Sequence, residues 1–265
     1  MTMADHTYAS ASASRAQTAH HSPVLGRTYS VTVYAFSMAV LLYAAGFIAG
    51  RGVAKTIDHG PASPWPVAAL IDVLLVLLFA VQHTVMARPW FKRWLTWLVP
   101  ASAERSSYVL AASIALTLML WLWRPIPAAV WHASGPVAGC LLALYGLGWL
   151  VTLTSTFLIS HFDLFGLRQA FLAARGTDYA PPGFTERLFY RVVRHPLMTG
   201  FLIIFWAAPV MTVGHLVLSL AMTAYILTGI AFEERDLASD LGDAYRSYRT
   251  RVPALIPGLR LRSGQ

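Results

Sequence analysis

Two short polar clusters near the carboxyl terminus of the 265-residue chain carry the residue types best suited to chemistry. The first is Arg194-His195-Pro196, and the second is Glu233-Glu234-Arg235. Imidazole, carboxylate and guanidinium groups bind both signs of charge, and an imidazole also transfers protons near neutral pH. The segment between the clusters, Thr199 to Phe232, contains no charged residue. If this segment enters a membrane and returns, the clusters meet at one face, where a polar cofactor could meet an apolar substrate.

Two further groups lie where apolar segments end. His161 and Asp163 follow one such segment, and His83 with Arg88 closes another. A histidine oriented by a carboxylate can act as an acid/base pair, but the same residues also serve as interfacial helix caps, and spacing alone leaves both interpretations open. The spacing of the histidines supports no metal site, and we expect none.

Composition predicts a membrane protein. The chain is 57% hydrophobic and only 12% charged, whereas a soluble domain has about 25% charged residues. Its one cysteine, Cys140, excludes an intrachain disulfide and a cysteine-based metal cluster. The net charge of +8 could indicate nucleic-acid binding, so its distribution along the chain decides.

Apolar segments of about 20 residues indicate spanning helices. Four are found, at Ser30–Gly50, Pro66–Ala87, Tyr108–Trp123 and Pro136–Ile159. The segment from Thr199 to Phe232 is too long for one helix, and we predict a hairpin of two short arms, 199–212 and 216–232. The expected fold is therefore all-α and polytopic, with five to six membrane helices.

Positive charge sets the orientation. All but three of the 20 lysines and arginines lie on one side if the last segment is a hairpin, the exceptions being Arg51, Lys55 and Arg124. Because such residues concentrate in the cytoplasm, we predict a multi-pass protein with both termini cytoplasmic. The positive charge then faces anionic lipid and not nucleic acid.

The predicted organisation is a single membrane domain. Residues 1–28 form a flexible cytoplasmic tail without the apolar core of a signal peptide, and residues 29–257 form the domain. Residues 190–257 are its expected cofactor-binding region, in which Asp236 to Arg251 forms an amphipathic interfacial helix. Residues 258–265 form a second tail.

The order of motifs in the last third resembles the isoprenylcysteine carboxyl methyltransferase superfamily. The matching motifs are Arg194-His195-Pro196-x-x-x-Gly200, Glu233-Glu234-x-x-Leu237, Gly242-x-x-Tyr245-x-x-Tyr248 and Val252-Pro253. Upstream segments, among them Gln82-His83-Thr84 and the stretch from His161 to Gln169, are similar to one subgroup, the bacterial methanethiol S-methyltransferases. The resemblance implies methyl transfer from S-adenosylmethionine to methanethiol at the bacterial inner membrane, giving dimethyl sulfide.

The resemblance also implies a cofactor site. Its expected residues are Arg194, His195, Pro196, Leu197, Gly200, Glu233, Glu234, Arg235, Tyr245 and Tyr248. By position in the motif, Glu234 would bind the ribose or amino group, Arg235 the carboxylate, and the two tyrosines would close the cytoplasmic side. The superfamily usually has tyrosine where this chain has Met198, so a hydroxyl contact is lost or the position needs only bulk.

A simple thiol has a pKa on the order of 10, above that of cysteine at about 8.5, so its methylation benefits from a base. His161 with Asp163 is the first candidate for this catalytic role, and His83 with Arg88 is the second.

Two alternatives remain at this stage. One is a methyltransferase that acts on a lipid amine or a larger thiol at the same site. The other is a membrane haem-binding or regulatory protein, because the amino-terminal half also resembles a small family linked to nitric-oxide metabolism.

Overall fold

A computed structural model describes residues 23–183 and 186–258. The helices are α1 (Pro23–Ala49), α2 (Trp65–Ala87), α3 (Pro89–Leu95), α4 (Ala101–Leu122), α5 (Gly135–Ile159), α6 (His161–Leu164), α7 (Leu167–Ala173), α8 (Pro196–Trp206), α9 (Val213–Leu241) and α10 (Asp243–Arg251). A 3-10 turn covers Leu188–Arg191, and two strands, β1 (Ala129–His132) and β2 (Val210–Thr212), pair antiparallel.

The prediction of an all-α polytopic membrane protein is confirmed. Within the described residues, five helices are long and apolar enough to cross a membrane, namely α1, α2, α4, α5 and α9. Helix α8 is apolar but shorter. Helices α8 and α9 form the expected hairpin, but the prediction of two short arms is wrong for α9, which is long enough to cross a membrane. The turn lies where Pro209 follows α8, since proline cannot continue a helix.

The helices form one bundle in which α8 packs lengthwise on α5, α1 and α2 pack on α4, and α9 packs on α2 and α8. The shared core includes Phe47, Trp123, Ile204 and Leu218. Burial of such side chains contributes roughly 1.5–3 kcal/mol each in water, whereas lipid removes much of this driving force. Close packing and polar contacts between the helices therefore carry more of the stability.

Strands β1 and β2 were not predicted. The two strands share three residue pairs, and the outer two are Ala129 with Thr212 and His132 with Val210. The pair joins the α4–α5 connection to the α8–α9 turn. We call this end of the bundle the turn end, and the end that carries Arg194 and Glu233 the motif end.

Two predicted helix starts differ from the structure. Helix α1 is already helical at Pro23, earlier than Ser30 and inside the segment assigned to the tail. Helix α4 likewise begins at Ala101, directly after Pro100, and not at Tyr108. The rest of the predicted tails, residues 1–22 and 259–265, lies outside the described residues.

The predicted interfacial helix from Asp236 to Arg251 is wrong in its start. Helix α9 continues through Glu233 to Leu241, because the charged residues that end the apolar segment are also good helix formers. The break comes at Gly242, whose φ of +55° favours glycine. Helix α10 then begins at Asp243.

Candidate active site

Two elements meet at the motif end. His195 caps the start of α8, and Pro196 occupies the first turn of that helix. The backbone N–H groups of Arg194 and His195 donate to the carbonyl oxygens of Pro253 and Ala254, at 2.8 and 3.0 Å. The segment that follows α10 therefore lies along the Arg194-His195-Pro196 motif and brings α10 to the start of α8.

Glu234 is the centre of a buried charge cluster. Its residue is 7% exposed, and its carboxylate accepts from Arg194 Nε at 2.7 Å and pairs with His195 Nε2 at 3.1 Å and Arg249 Nε at 3.3 Å. Burial of a carboxylate is costly unless cations and hydrogen bonds offset it. Through these three contacts Glu234 links the start of α8, helix α9 and helix α10.

Arg194 is equally enclosed. Besides Glu234, its guanidinium donates to the carbonyl oxygens of Arg249, at 3.2 Å, and Val252, at 2.5 Å. Arg194 therefore has a structural role, because its contacts fix the orientation of the chain after α10.

Glu233 faces a different environment. Its side chain is 45% exposed, and its Oε2 lies 3.5 Å from His195 Nδ1. Arg235, two residues further, is also exposed. Glu233 and Arg235 therefore expose charge at the motif end, as Asp236 and Arg249 also do, while Glu234 points inward.

His195 lies between the two glutamates. Burial alone would lower the pKa of His195, but hydrogen bonds and charges from Glu233 and Glu234 outweigh it and hold that pKa above its usual value. When it is protonated, His195 is therefore stabilised by both carboxylates.

Tyr245 and Tyr248, the predicted cytoplasmic closure of the cofactor site, are buried side chains. They are 1% and 2% exposed and pack with Val252 and Leu237 in a cluster between α10 and α9. The Tyr248 hydroxyl donates to the Tyr190 carbonyl oxygen at 2.6 Å, and burial raises the pKa of Tyr248 to about 12. Both tyrosines thus position α10.

The remaining motif residues have packing positions. Pro196 and Gly200 are buried, and a Cβ at Gly200 would lie 2.8 Å from the Gly148 carbonyl oxygen of α5. Gly200 therefore lies where α8 crosses α5 closely. Leu197 is partly buried beside Pro196, and Met198 packs against the central core, which is consistent with a position that needs bulk.

The predicted pair of His161 and Asp163 is not formed. His161 shares hydrogen bonds with Tyr34 through Nε2, at 2.9 Å, and with Thr156 through Nδ1, at 2.8 Å. Asp163 instead accepts from Tyr179, at 3.1 Å, and Arg168, at 3.4 Å.

Both ring nitrogens of His161 therefore have partners, and the ring stacks on Phe157 with centroids 4.2 Å apart. Burial lowers the pKa of His161 and raises that of Asp163. This histidine is built into the packing of the bundle.

His83 and Arg88 do not pair either. His83 Nε2 lies 2.7 Å from the Tyr108 hydroxyl, whereas Arg88 lies 3.5 Å from an oxygen of Asp236. Asp236 belongs to α9, so Arg88 joins the end of α2 to the motif end. The other faces of the His83 ring contact aromatic side chains.

Sequence reasoning missed Arg249 and the aromatic residues around His83. Arg249 lies one residue after Tyr248 on an amphipathic helix, and its position toward the glutamates follows only from the break at Gly242. Tyr108 and Tyr225 were counted as parts of apolar segments. A hydroxyl at a buried helical position was the available signal, because buried tyrosine hydroxyls usually need partners.

Comparison with known proteins places this arrangement in a family. A methanethiol S-methyltransferase of Bradyrhizobium diazoefficiens is 51% identical over 231 residues, which cover 87% of this chain and 89% of the relative. A methanethiol S-methyltransferase of Mycobacterium tuberculosis is 50% identical over 230 residues, 86% of this chain and 94% of the relative. The chain belongs to the methanethiol S-methyltransferase family.

It is accordingly a methyltransferase, as the motifs predicted. A more distant relative, a Nurim homolog of Drosophila melanogaster, is 28% identical over 176 residues, 64% of this chain and 70% of the relative. No family model matches the chain. No solved structure matches it either.

Proposed function

We propose that the protein transfers the methyl group of S-adenosylmethionine to methanethiol at the cytoplasmic face of the bacterial inner membrane. The observation that carries this proposal is the identity of about half over most of the chain with relatives named methanethiol S-methyltransferase. The product would be dimethyl sulfide. The concentration of arginines at the motif end supports the cytoplasmic face.

The side chains at the motif end fit the donor. An exposed carboxylate, Glu233, and an exposed guanidinium, Arg235, match the amino and carboxylate groups of the methionine moiety of S-adenosylmethionine. The bound cofactor would supply an electrophilic methyl group on a sulfonium.

His195, Glu234 and Arg194 would serve the cofactor indirectly. Their buried contacts fix the start of α8 against α9, so that Glu233 keeps one orientation toward the ligand. Positioning of this kind is the main demand of an in-line transfer, which depends on alignment and proximity.

The primary test is an assay of detergent-solubilised protein with S-adenosylmethionine and methanethiol, in which dimethyl sulfide is measured in the headspace. We expect product above a no-enzyme control. Absence of product with cofactor binding still visible by calorimetry would contradict methanethiol as the substrate and direct the search to lipid amines or larger thiols. Absence of both would contradict the proposed cofactor.

Glu233→Gln sharpens the test of the cofactor site. A hydrogen bond to a charged group contributes about 1.5–3 kcal/mol, so we expect the calorimetric affinity for S-adenosylmethionine to fall roughly 10- to 100-fold. Glu186→Gln is the matched control, because Glu186 pairs with Arg251 at 3.4 Å and is a carboxylate of the same side. Unchanged affinity in Glu233→Gln would contradict the assignment of Glu233.

A further inference from the structure

Aromatic rings surround His83 between α2, α4 and α9, and we call this cluster of Phe79, His83, Tyr108 and Tyr225 the aromatic pocket. The ring of Phe79 stacks on the imidazole with centroids 5.4 Å apart, and the rings of Tyr108 and Tyr225 lie at 5.1 and 6.4 Å. Sulfur makes favourable contacts with aromatic rings. The chemistry of the aromatic pocket therefore suits a small apolar sulfur compound.

Two polar side-chain atoms of neighbouring residues on α2, one of them on His83, are buried without a partner. Within the described part of the chain, His83 Nδ1 and the Gln82 side-chain oxygen are buried without a hydrogen bond. A buried polar atom left unsatisfied costs about 1–3 kcal/mol, so such atoms call for an explanation. His83 Nε2 is already engaged by the Tyr108 hydroxyl at 2.7 Å, which leaves Nδ1 as the nitrogen available to a ligand.

The pocket lies deeper in the bundle than the cofactor charges, on the same pair of helices. Helices α2 and α9 run parallel: His83 contacts Tyr225, and further along both helices Arg88 contacts Asp236. Tyr225 precedes Glu233 by eight residues, which is about 12 Å along the helix axis. A substrate that partitions into lipid would thus approach the cofactor from the membrane side.

The local charge suits an anion. Arg105 lies 5.2 Å from the centroid of the Tyr108 ring. The other titratable groups facing His83 are Tyr108 and Tyr225. A nearby guanidinium stabilises a thiolate over a thiol.

Building on the proposed function, we propose that this pocket binds the acceptor thiol and that His83 Nδ1 removes its proton, with Tyr108 as a positioning residue. In the tautomer that carries its proton on Nε2 and donates it to the Tyr108 oxygen, Nδ1 presents a lone pair to the pocket. His83 Nδ1 takes the proton from the thiol S–H and becomes an imidazolium.

The thiolate sulfur then forms a bond to the transferred methyl carbon. The bond between that carbon and the donor sulfur breaks, and its electron pair stays on the donor sulfur, which becomes a neutral thioether. The proton on His83 leaves to solvent at the end of the cycle.

The kinetic test is His83→Gln. We expect kcat to fall by about 100-fold or more, as is usual for loss of a general base, with unchanged calorimetric affinity for S-adenosylmethionine. His161→Gln is the matched comparison, because the nitrogens of His161 are both occupied; it should keep the wild-type pH profile of the rate. A wild-type kcat in His83→Gln would overturn the proposal.

Tyr108→Phe tests the positioning role and does not remove the histidine. Without the hydroxyl, His83 Nε2 loses its partner, and the tautomer that leaves Nδ1 as the base is no longer favoured. We therefore expect kcat to fall about tenfold, equivalent to about 1.4 kcal/mol. KM for the thiol should change less than kcat, and the pH profile of the rate should shift. Equal loss in kcat at every pH, or a change in KM alone, would overturn the positioning role.

Thiol binding is testable without the cofactor. In protein labelled with 3-fluorotyrosine, the Tyr225 resonance is assigned with Tyr225→Phe and that of Tyr43, near the turn end, with Tyr43→Phe. Ethanethiol added without S-adenosylmethionine should shift the Tyr225 resonance saturably and leave that of Tyr43 in place. A Tyr225 resonance that does not respond would overturn the pocket assignment.

These results separate two failures. If wild-type protein forms no dimethyl sulfide, the proposed function fails whatever His83 does. If wild-type protein forms dimethyl sulfide but His83→Gln does so equally well, the proposed function stands and the acceptor pocket is wrong.

Discussion

The two ends of the α8–α9 hairpin are held by different chemistry. At the motif end, Glu234 is paired with three cationic side chains within 3.3 Å. At the turn end, uncharged contacts dominate, such as the Gly214 N–H that donates to the Ile126 carbonyl oxygen at 3.1 Å and His215 Nε2 at 3.0 Å from the Phe205 oxygen. Both ends are secured, and the motif end carries the buried charge cluster around Glu234.

The difference shows which end is suited to bind a ligand. At the turn end, backbone groups freed by the short α8 are satisfied by the neighbouring connection and by the β1–β2 pair, as lipid requires. At the motif end, Glu233 keeps a 45% exposed side chain beside a buried charge network. A preorganised network with one exposed carboxylate at its edge is typical of a binding site.

The largest expected effect comes from removal of the central charge at the motif end. Glu234→Ala leaves the buried Arg194 guanidinium, 9% exposed, without its counter-ion, and such losses cost about 3–5 kcal/mol. Thermal unfolding in detergent should show a large fall in midpoint. Glu186→Ala, at an exposed pair, should cost about 1 kcal/mol or less; equal effects of both would show that burial of the cluster is unimportant.

The next effect concerns the packing that joins the two ends. In Gly200→Ala the new methyl group meets the Gly148 oxygen and Thr152 N, both at 2.8 Å, and overpacking costs about 1–3 kcal/mol. Gly146→Ala is the control, since nothing lies within 4 Å of a Cβ there. The unfolding midpoint should fall only in Gly200→Ala, and a stable Gly200→Ala protein would show that α5 and α8 separate readily.

These contrasts also show what the sequence could predict. Apolar length and the distribution of arginines gave the helices and the hairpin, because the bilayer imposes both. The meeting of Arg194 with Glu234 followed from the same topology.

The sequence did not predict which of the two glutamates would be buried and which would be exposed. Whether Glu233 or Glu234 points inward depends on the rotation of α9 about its axis, and in the structure Glu234 faces Arg194, His195 and Arg249. Likewise His161 and Asp163 are two residues apart but face different partners, Tyr34 and Tyr179. The spacing in the sequence predicted that these residues lie near one another, but the tertiary contacts determine which side chains pair.

A smaller effect is expected from a change at the turn end. The Thr212 hydroxyl donates to Asp58 at 2.5 Å and accepts from the His215 N–H at 3.1 Å as the cap of α9. Thr212→Val keeps the shape and should cost about 1–2 kcal/mol. The unfolding midpoint should fall less than in Glu234→Ala, and affinity for S-adenosylmethionine should not change; a loss of affinity would show that the ends are coupled.

The smallest effect is a pH dependence confined to the motif end. Because Glu233 and Glu234 raise the pKa of His195 in the folded protein, its imidazolium contributes stability that is complete below the unfolded value of about 6.5 and is lost as pH rises through the higher folded value. The unfolding midpoint of the wild type should therefore decline more steeply above neutral pH than that of His195→Gln. Parallel declines would mean that His195 is not charged in the folded cluster, and the motif end would then owe its cohesion to the two arginines alone.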